Sequence, residues 1–203
     1  MEEGARERIL KQRRALIEPD LEAMSGRVCV QIIAALQGAS LAGVRVALYS
    51  ALPDELRIGM LATWLAGRGA RLHFPRISDR KGRLMEFVEL SSDQNDSWEL
   101  GPYGIREPKA HLPAVGPQDL DLLFVPGVGF TETGRRIGMG AGFYDRYLPQ
   151  TRRDALRVGL AFDFQVVSVL EQNPWDQPVH WVLTETRDLR VQPSLIEKLT
   201  GSQ

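Results

Sequence analysis

Two helices are predicted before any strand, from the spacing of apolar positions near the start of the chain. Residues 7–16 have the pattern of a short basic helix, and a stripe of apolar positions at helical spacing runs from Leu21 to about Leu36. Pro19 suits the first turn of this second helix. The short apolar run over residues 44–49 then predicts the first strand.

Strands and helices are predicted to alternate from there to the end of the chain. Pro53 and Asp54 are predicted to open a helix that ends at Gly67, and Pro75 is predicted to stop a strand that begins at Arg71. Further strands are predicted at residues 84–90, 120–125, 157–162 and 181–183, and further helices at 142–148 and from 194 onwards. This alternation indicates an α/β fold, with helices layered on a mixed sheet that has a parallel core.

One domain is expected over residues 1–203, because no segment has the length and composition of a linker between domains. A chain of this length can bury about 70% of the surface that it exposes when unfolded. The polar stretch at residues 91–97 and the proline-rich stretch at 102–117 predict a loop-rich connection between two halves of the sheet.

The charge balance argues against a nucleic-acid-binding protein. The chain has 25 basic and 26 acidic residues, which gives a formal net charge of -1. The basic run over residues 11–14 has no interleaved aromatic residues, so a solvated helix face is favoured. Residues 1–16 are charged throughout, and no later run approaches about 18 consecutive apolar residues. We therefore expect a cytoplasmic protein that binds neither nucleic acid nor a membrane.

Cysteine and histidine contribute no evident catalytic or metal site. Cys29 is the only cysteine, which excludes a disulfide or a thiolate cluster within the chain, and its apolar neighbours favour a buried, inert thiol. His73, His111 and His180 do not have the spacing of metal ligands. Because no Ser/His/Asp or Cys/His arrangement is evident, an enzyme of this sequence would act by positioning substrates and neutralising charge.

Candidate chemistry concentrates in residues 122–148, where an apolar run leads into a glycine-rich segment and then an acidic, aromatic triplet. The glycines, the basic pair and the acid are Gly134, Gly138, Gly140, Gly142, Arg135, Arg136 and Asp145. Glycine allows a sharp turn or a close approach to a ligand, and amides at a helix N-terminus can cradle phosphate. A carboxylate beside them could hold the Mg²⁺ of a nucleotide. The spacing matches neither GxGxxG nor GxxxxGK[ST], so a phosphate site and a tight structural turn both stay open.

Further candidates each have a structural alternative. Asp54 and Glu55 follow the first strand at the edge where α/β sheets bind ligands, which makes Glu55 a candidate contact. The alternative, which local pattern favours, is that Asp54 caps the next helix and Glu55 favours its dipole. Asp176 is either a second acidic ligand or a turn residue in a proline-flanked loop. Phe143 and Tyr144 could stack on a planar heterocycle or belong to the core.

Taken together, the motifs resemble the 5-formyltetrahydrofolate cyclo-ligase (methenyltetrahydrofolate synthetase) family, from the basic N-terminal helix to about Glu185. The order of the matching segments makes the resemblance specific. They are KQRRAL, ALYSALPDEL, FPRI, MEF, YGIREP, VPGVGF, GRRIGMGAGFYDRYL, VGLAFDFQVV and WDQPV.

The resemblance implies a fold, two substrates and a reaction. Such enzymes have a Rossmann-like core related in architecture to ribose-phosphate isomerase and CoA-transferase folds, and they use ATP and Mg²⁺. The implied reaction joins the formyl oxygen of 5-formyltetrahydrofolate to the γ-phosphoryl group of ATP, after which N10 attacks and phosphate leaves as the ring of 5,10-methenyltetrahydrofolate closes. No protein nucleophile is required, because the protein aligns the reactants and stabilises charge. We expect a monomer with these small-molecule partners alone.

The resemblance also implies roles for individual residues, and Glu55 would hold the pterin end of the folate. The residues implied in folate binding are Glu55, Met139, Gly140, Ala141, Gly142, Phe143 and Tyr144. Those implied in ATP binding are Arg6, Arg136, Ile137, Gly138, Met139, Gly140, Ala141, Gly142, Phe143 and Tyr144. Asp145 and Asp176 would hold Mg²⁺.

The chain departs from the family pattern at four positions. Met139 and Ala141 stand where many members have cations in the loop, Glu2 stands where many have a lysine, and Ile58 replaces a common threonine. The missing cations leave a second hypothesis open, a non-catalytic relative that binds folate or a nucleotide. If the chain is an enzyme, we expect compensating charge from one or more of four other arginines. They are Arg76, Arg106, Arg135 and Arg136.

Overall fold

The computed structural model describes residues 4–90, 94–171 and 173–201. Two helices come first, as predicted: α1 (Ala5–Ala15) and α2 (Glu18–Ala35). Pro19 lies in the first turn of α2, where its missing N–H leaves no hydrogen bond unmade. Three further helices are α3 (Gly59–Gly67), α4 (Phe143–Tyr147) and α5 (Pro193–Thr200).

The strands form one large sheet and two small hairpins. In chain order the strands are β1 (Arg45–Ala47), β2 (Arg71–Asp79), β3 (Leu84–Glu89), β4 (Trp98–Leu100), β5 (Arg106–Pro108), β6 (Ala114–Val115), β7 (Leu122–Val125), β8 (Gly129–Phe130), β9 (Arg136–Ile137), β10 (Leu156–Leu160), β11 (Trp181–Leu183) and β12 (Asp188–Arg190). The large sheet has the order β12-β11-β10-β7-β1-β2-β3-β6, while β4-β5 and β8-β9 pair separately.

The centre of the large sheet is parallel. Strands β11, β10, β7, β1 and β2 pair in parallel, whereas β12 at one edge and β3 and β6 at the other are antiparallel. This confirms the predicted α/β fold with a mixed sheet and a parallel core. Parallel strands bring their carboxyl ends to one edge of the sheet, and ligands of open α/β sheets bind at that edge.

Both faces of the sheet are covered, which explains the continuous apolar run in β7. Leu122 and Phe124 pack in one buried cluster with α2 and α3, while Leu123 and Val125 pack in a second cluster on the opposite face. All four side chains are at most 1% exposed. A strand buried on both faces has no reason to alternate between apolar and polar residues.

Two predicted boundaries are wrong. Helix α3 begins at Gly59 and not at Pro53, because Asp54 is drawn back to α1 by an ion pair with Arg13 (2.8 Å). Strand β2 continues through Pro75 to Asp79. Pro75 pairs with Phe87 of β3 and lies beyond the last β1 partner of β2, so its missing N–H breaks no bond to β1.

Three smaller expectations concern the cysteine, the histidines and the membrane. Cys29 is fully buried in the core, as predicted. Among the described residues, no His, Cys, Asp or Glu cluster of three or more could hold a metal ion. Within the same ranges, no helix combines the length and the apolar character needed to cross a bilayer.

His180 gives the fold a defined sensitivity to acid. Burial, together with the Arg157 charge, lowers the pKa of His180 from 6.5 to about 4, and its Nδ1 accepts a hydrogen bond from the Arg157 backbone N–H (3.1 Å). A lowered pKa means that the unfolded chain takes up the proton first, so the stability present above pH 6.5 is lost as pH falls toward 4.

We expect His180→Asn, whose side-chain oxygen can accept the same hydrogen bond, to lose less stability on acidification. The difference from the wild type should be about 1–2 kcal/mol between pH 7 and pH 5. Urea denaturation at both pH values measures it. Parallel losses in the two proteins would show that His180 does not set the acid sensitivity.

Candidate active site

A glycine-rich loop, residues 138–142, lies between β9 and α4 and forms the centre of the site. Gly140 and Gly142 have φ values of +98° and +74°, a region that side-chain-bearing residues rarely adopt. Arg6 of α1 donates a hydrogen bond from Nη2 to the Met139 backbone oxygen (2.6 Å). The first helix therefore contacts the tip of the loop through Arg6, which is one of the residues predicted to bind ATP.

The segment before the loop differs from the expected strand-to-loop connection. The hairpin β8-β9 intervenes, and Gly134 lies in its turn, with φ +76° and an N–H bonded to the Thr131 carbonyl (3.0 Å). The turn packs against the Val179 carbonyl, which a Cβ on Gly134 would strike. Gly134 therefore serves a structural turn and is separate from the candidate phosphate loop.

Two cavities lie on either side of the loop and share part of their walls. The first has a volume of about 330 Å³ and the second about 700 Å³. Gly138, Gly142 and Asp145 line both. The side chains of Met139 and Ala141 line only the first cavity, and Gly140 lines only the second. Successive residues from 139 to 141 therefore line the first, the second and again the first cavity. Asp145 lies in the wall that the two cavities share.

The first cavity is mostly apolar, and the acids that line it are Glu55 and the shared Asp145. Its walls include Tyr49, Pro75, Ile77, Met85, Tyr103, Phe143 and Tyr144. Tyr103, in the turn between β4 and β5, meets Phe143 edge-to-face with ring centroids 6.2 Å apart. Such a cavity suits a planar heterocycle, which aromatic and aliphatic walls can cover.

Glu55 lines the apolar cavity and not the polar one, and it is 8% exposed. Its Oε2 accepts a hydrogen bond from the Leu52 backbone N–H (3.0 Å), and its Oε1 lies 3.7 Å from Arg13 Nη1. Burial raises the pKa of Glu55, against the lowering effect of the Leu52 hydrogen bond and the Arg13 charge. The carboxylate can still accept hydrogen bonds from a ligand.

Two tyrosine hydroxyls lie near Glu55 and differ in their hydrogen bonding. Tyr49 donates to the Leu56 backbone oxygen (2.8 Å). The Tyr144 hydroxyl is buried and has no hydrogen-bond partner among the described residues. Burial and the Glu55 charge raise the pKa of both tyrosines, so both stay protonated. Tyr144 is therefore the hydroxyl with capacity left for a ligand in the apolar cavity.

The second cavity is polar and mostly cationic. The backbone of the loop lines it, together with three arginines, two aspartates and two other residues. They are Arg6, Arg83, Arg146, Asp145, Asp176, Asn173 and Trp175. Cations and glycine amides of this kind suit an anionic ligand. The exposed Trp175 ring offers a flat surface to a heterocycle.

Arg136 and Asp145 form a buried ion pair between the two cavities. Arg136 Nη2 donates to Asp145 Oδ1, and Arg136 Nη1 donates to the Pro126 carbonyl (3.1 Å). The Gln177 backbone N–H also donates to Asp145 Oδ1 (3.3 Å). Arg136 lines the apolar cavity, and its positive charge is paired with Asp145. Its position suits orienting the acid, whereas it does not line the polar cavity, and its contact with nucleotide phosphates stays a prediction.

The two acids predicted to hold Mg²⁺ line the same polar cavity. Asp176 accepts a hydrogen bond at Oδ2 from the Asn173 backbone N–H (2.7 Å), which orients its carboxylate. Asp145 accepts its hydrogen bonds at Oδ1, which leaves Oδ2 without one among the described residues. Mg²⁺ commonly takes one or two protein carboxylates, with phosphate and water oxygens completing its shell. The donor set therefore fits Mg²⁺.

The four arginines considered as replacements for loop cations do not face the polar cavity. Arg76 is paired with Glu86, and Arg136 with Asp145. Arg106 stacks over the Trp98 ring, and Arg135 is exposed beside the β8-β9 turn. The lining residues without a predicted role include Arg83, Tyr103, Arg146 and Trp175. Arg146 directly follows Asp145 in the glycine-rich segment, and Tyr103 and Trp175 each open one of the matching segments, whereas Arg83 had no local signal.

Two other departures have less bearing on the site. Ile58 is 6% exposed and packs in the core cluster at the start of α3. A hydrophobic residue at this position is therefore explained by packing. Glu2 lies outside the described residues.

Comparison with known proteins gives the site its context. A model of the 5-formyltetrahydrofolate cyclo-ligase family matches residues 2–185. The chain is similar to the 5-formyltetrahydrofolate cyclo-ligase of Escherichia coli, with 29% identity over 181 residues that cover 88% of this chain and 98% of the relative. For the Haemophilus influenzae protein of the same name, identity is 32% over 140 residues, covering 68% and 74%. The 5,10-methenyltetrahydrofolate synthetase structure from Aquifex aeolicus matches with a TM-score of 0.77 and 28% identity, over 93% of this chain and 91% of that one.

Proposed function

Because this chain belongs to the 5-formyltetrahydrofolate cyclo-ligase family, we propose that it cyclises 5-formyltetrahydrofolate to 5,10-methenyltetrahydrofolate while ATP is cleaved to ADP and phosphate. It is an enzyme of folate metabolism and a ligase by its family and its relatives' names. The observation that carries the proposal is the pair of cavities that share Gly138, Gly142 and Asp145. Two substrates bound on either side of the loop would bring their reacting ends together there.

The apolar cavity would hold the folate. Glu55 would accept hydrogen bonds from N–H groups of the pterin, and the Tyr144 hydroxyl would bind a polar atom of the same ligand. Met139 and Phe143 would cover the ring and exclude water. The folate would thus be held by its flat end, with its formyl group toward the loop.

The polar cavity would hold ATP, with its phosphates toward Gly138 and Gly142. Loop amides and arginines would stabilise charge on the group in transfer. The formyl oxygen would attack the γ-phosphorus and ADP would leave. The N10 atom would then attack the activated carbon, and inorganic phosphate would leave as the new ring closes. The protein contributes alignment and electrostatic stabilisation.

Asp145 and Asp176 would hold the Mg²⁺ that accompanies the nucleotide, an ion that neutralises phosphate charge. Arg136 would keep the Asp145 carboxylate in place through its Nη2 bond. We further expect a monomeric, cytoplasmic enzyme without nucleic acid or membrane as a partner, and light scattering after gel filtration would test the first of these expectations.

A non-catalytic relative that binds folate or a nucleotide is the second candidate function. The absence of a cation within residues 138–142 favours it. However, Met139 and Ala141 line the apolar cavity and not the polar one. Their identity is therefore compatible with a polar cavity that still binds phosphate.

An absorbance assay of methenyl product separates the two candidates. We expect the purified protein to form 5,10-methenyltetrahydrofolate from 5-formyltetrahydrofolate with ATP and Mg²⁺, and to lose at least 100-fold in rate when ATP is omitted or Mg²⁺ is chelated, because an unactivated formyl oxygen is a poor leaving group. Heat-inactivated protein is the control. Folate-dependent stabilisation of the protein without product in any arm would favour the binding relative.

A further inference from the structure

The polar cavity has more positive charge than its acids can balance. Arg6, Arg83 and Arg146 line it against two aspartates, and one of these, Asp145, is already paired with Arg136. Among the described residues, none of the three cavity arginines forms an ion pair with a carboxylate. A cleft lined mainly by positive charge raises the local concentration of anionic ligands.

Arg146 is exposed on α4, and its side chain has one hydrogen-bond partner among the described residues. Its Nη1 lies 3.3 Å from the Gly142 carbonyl oxygen. The rest of its guanidinium has no partner among the described residues. Helix α4 follows the loop directly, and Arg146 lines the polar cavity beside it.

Arg83 reaches the same wall from the turn between β2 and β3. Its φ is +55°, and it is the non-glycine residue in the described ranges with a positive φ. A residue with a Cβ atom adopts this left-handed backbone only at an energetic cost. Asp79 stabilises the turn, since its Oδ1 accepts hydrogen bonds from the backbone N–H groups of Lys81 and Gly82 (2.9 and 3.0 Å). The turn thus holds an arginine in a conformation that glycine would adopt more easily.

The two guanidinium groups converge on the last glycine of the loop. A Cβ atom placed on Gly142 would lie 2.7 Å from Arg146 Nη1 and 4.0 Å from Arg83 Nη1. Two like charges beside the same glycine repel each other, and neither forms an ion pair with a carboxylate of the described residues. An anion bound over Gly142 would relieve the repulsion and receive hydrogen bonds from both guanidiniums.

We propose that Arg83 and Arg146 bind the polyphosphate of the nucleotide, supplying from outside the loop the positive charge that residues 138–142 lack. The inference rests on the proposed function, since it takes ATP as the ligand of the polar cavity. It assigns the charge to two separate elements, a hairpin turn and a helix, which flank the loop. Arg6 already donates a hydrogen bond to the Met139 carbonyl and therefore contributes less to phosphate binding than the other two arginines.

The test measures Arg83→Ala, Arg146→Ala and the double variant. We expect each single change to raise the KM for ATP and the dissociation constant for ADP about 10-fold, and the double change at least 50-fold, because each removes a charge-assisted contact. The KM for 5-formyltetrahydrofolate should change less than twofold. Inorganic tripolyphosphate should compete with ADP on the wild type and at least 50-fold more weakly on the double variant.

Arg153→Ala is the matched control. Arg153 is an exposed arginine before β10, at the opposite end of the parallel strands from the loop. All variants should keep the wild-type melting temperature within about 2 °C, because the replaced side chains are exposed. Removal of Arg153 should leave the ADP dissociation constant unchanged.

The outcomes separate this inference from the proposed function. A wild type that needs ATP, together with a double variant that binds ADP as tightly as the wild type, would overturn the inference and leave the proposed function standing. A wild type that neither needs nor binds a nucleotide would overturn both. An equal loss of ADP binding in Arg153→Ala would also overturn it, because the effect would then be one of general charge.

Discussion

Arg136→Ala is expected to lower the free energy of unfolding by about 3–5 kcal/mol, because it leaves the Asp145 carboxylate without its cation. The two side chains are 2% and 12% exposed, so solvent replaces little of the lost interaction. ATP-dependent turnover should fall with it, since Asp145 loses the group that orients it. Urea denaturation followed by circular dichroism measures the stability, and the methenyl absorbance assay measures the turnover.

The control for this prediction is Arg71→Ala. Arg71 pairs with Glu89 on the surface, with both side chains more than a third exposed, and such pairs contribute about 0–1 kcal/mol. The double variant Arg136→Ala/Asp145→Ala should recover part of the stability lost in Arg136→Ala, because no buried charge is then left alone. If Arg136→Ala costs less than about 1 kcal/mol, the ion pair does not hold the loop.

Glu55→Gln is expected to reduce kcat/KM for 5-formyltetrahydrofolate by 10²- to 10³-fold. Two charge-assisted hydrogen bonds to the pterin would be weakened, and each is worth about 1.5–3 kcal/mol. Glutamine keeps the shape of the side chain and can still accept the Leu52 N–H. Steady-state kinetics with each substrate varied in turn should place the loss on the folate and leave the KM for ATP within threefold.

The pH profile gives a second readout for Glu55. Burial raises the pKa of this carboxyl, so folate binding by the wild type should weaken as pH falls into its titration range. Glu55→Gln should lack this dependence. Glu89→Gln, which alters a surface acid away from both cavities, is the matched control. A change of less than threefold in kcat/KM for Glu55→Gln would reduce Glu55 to a structural residue.

The parts of the fold that depend on local pattern were predictable from the sequence. Strand β7 is a continuous apolar run because both of its faces are buried, and the stripe of α2 faces the core. The start of α3 was not predictable, because Arg13, far away along the chain, holds Asp54 out of the helix. Hairpin β8-β9 was missed because two-residue strands are too short to show a period.

The candidate site likewise contains residues that were predictable from the sequence and residues that were not. Glu55, Asp145 and Asp176 were singled out because acids follow strands or glycine-rich turns in the sequence, and the structure places each of them on a cavity wall. Arg83 gave no local signal in the sequence, because its place on the polar cavity depends on a left-handed backbone conformation in the turn between β2 and β3. The separation of the cavities depends on the glycine conformations of the loop, which spacing alone does not specify.

Helix α1 touches both halves of the site. Arg6 holds the Met139 carbonyl at the loop, Arg13 contacts Asp54 and Glu55, and Ile9 packs between them against Val128. Because Arg6 lines the polar cavity and lies close to the N-terminus in the sequence, an affinity tag fused there can alter the measured effects of substitutions in that cavity. Kinetic comparisons of the variants call for protein from which any N-terminal tag has been cleaved.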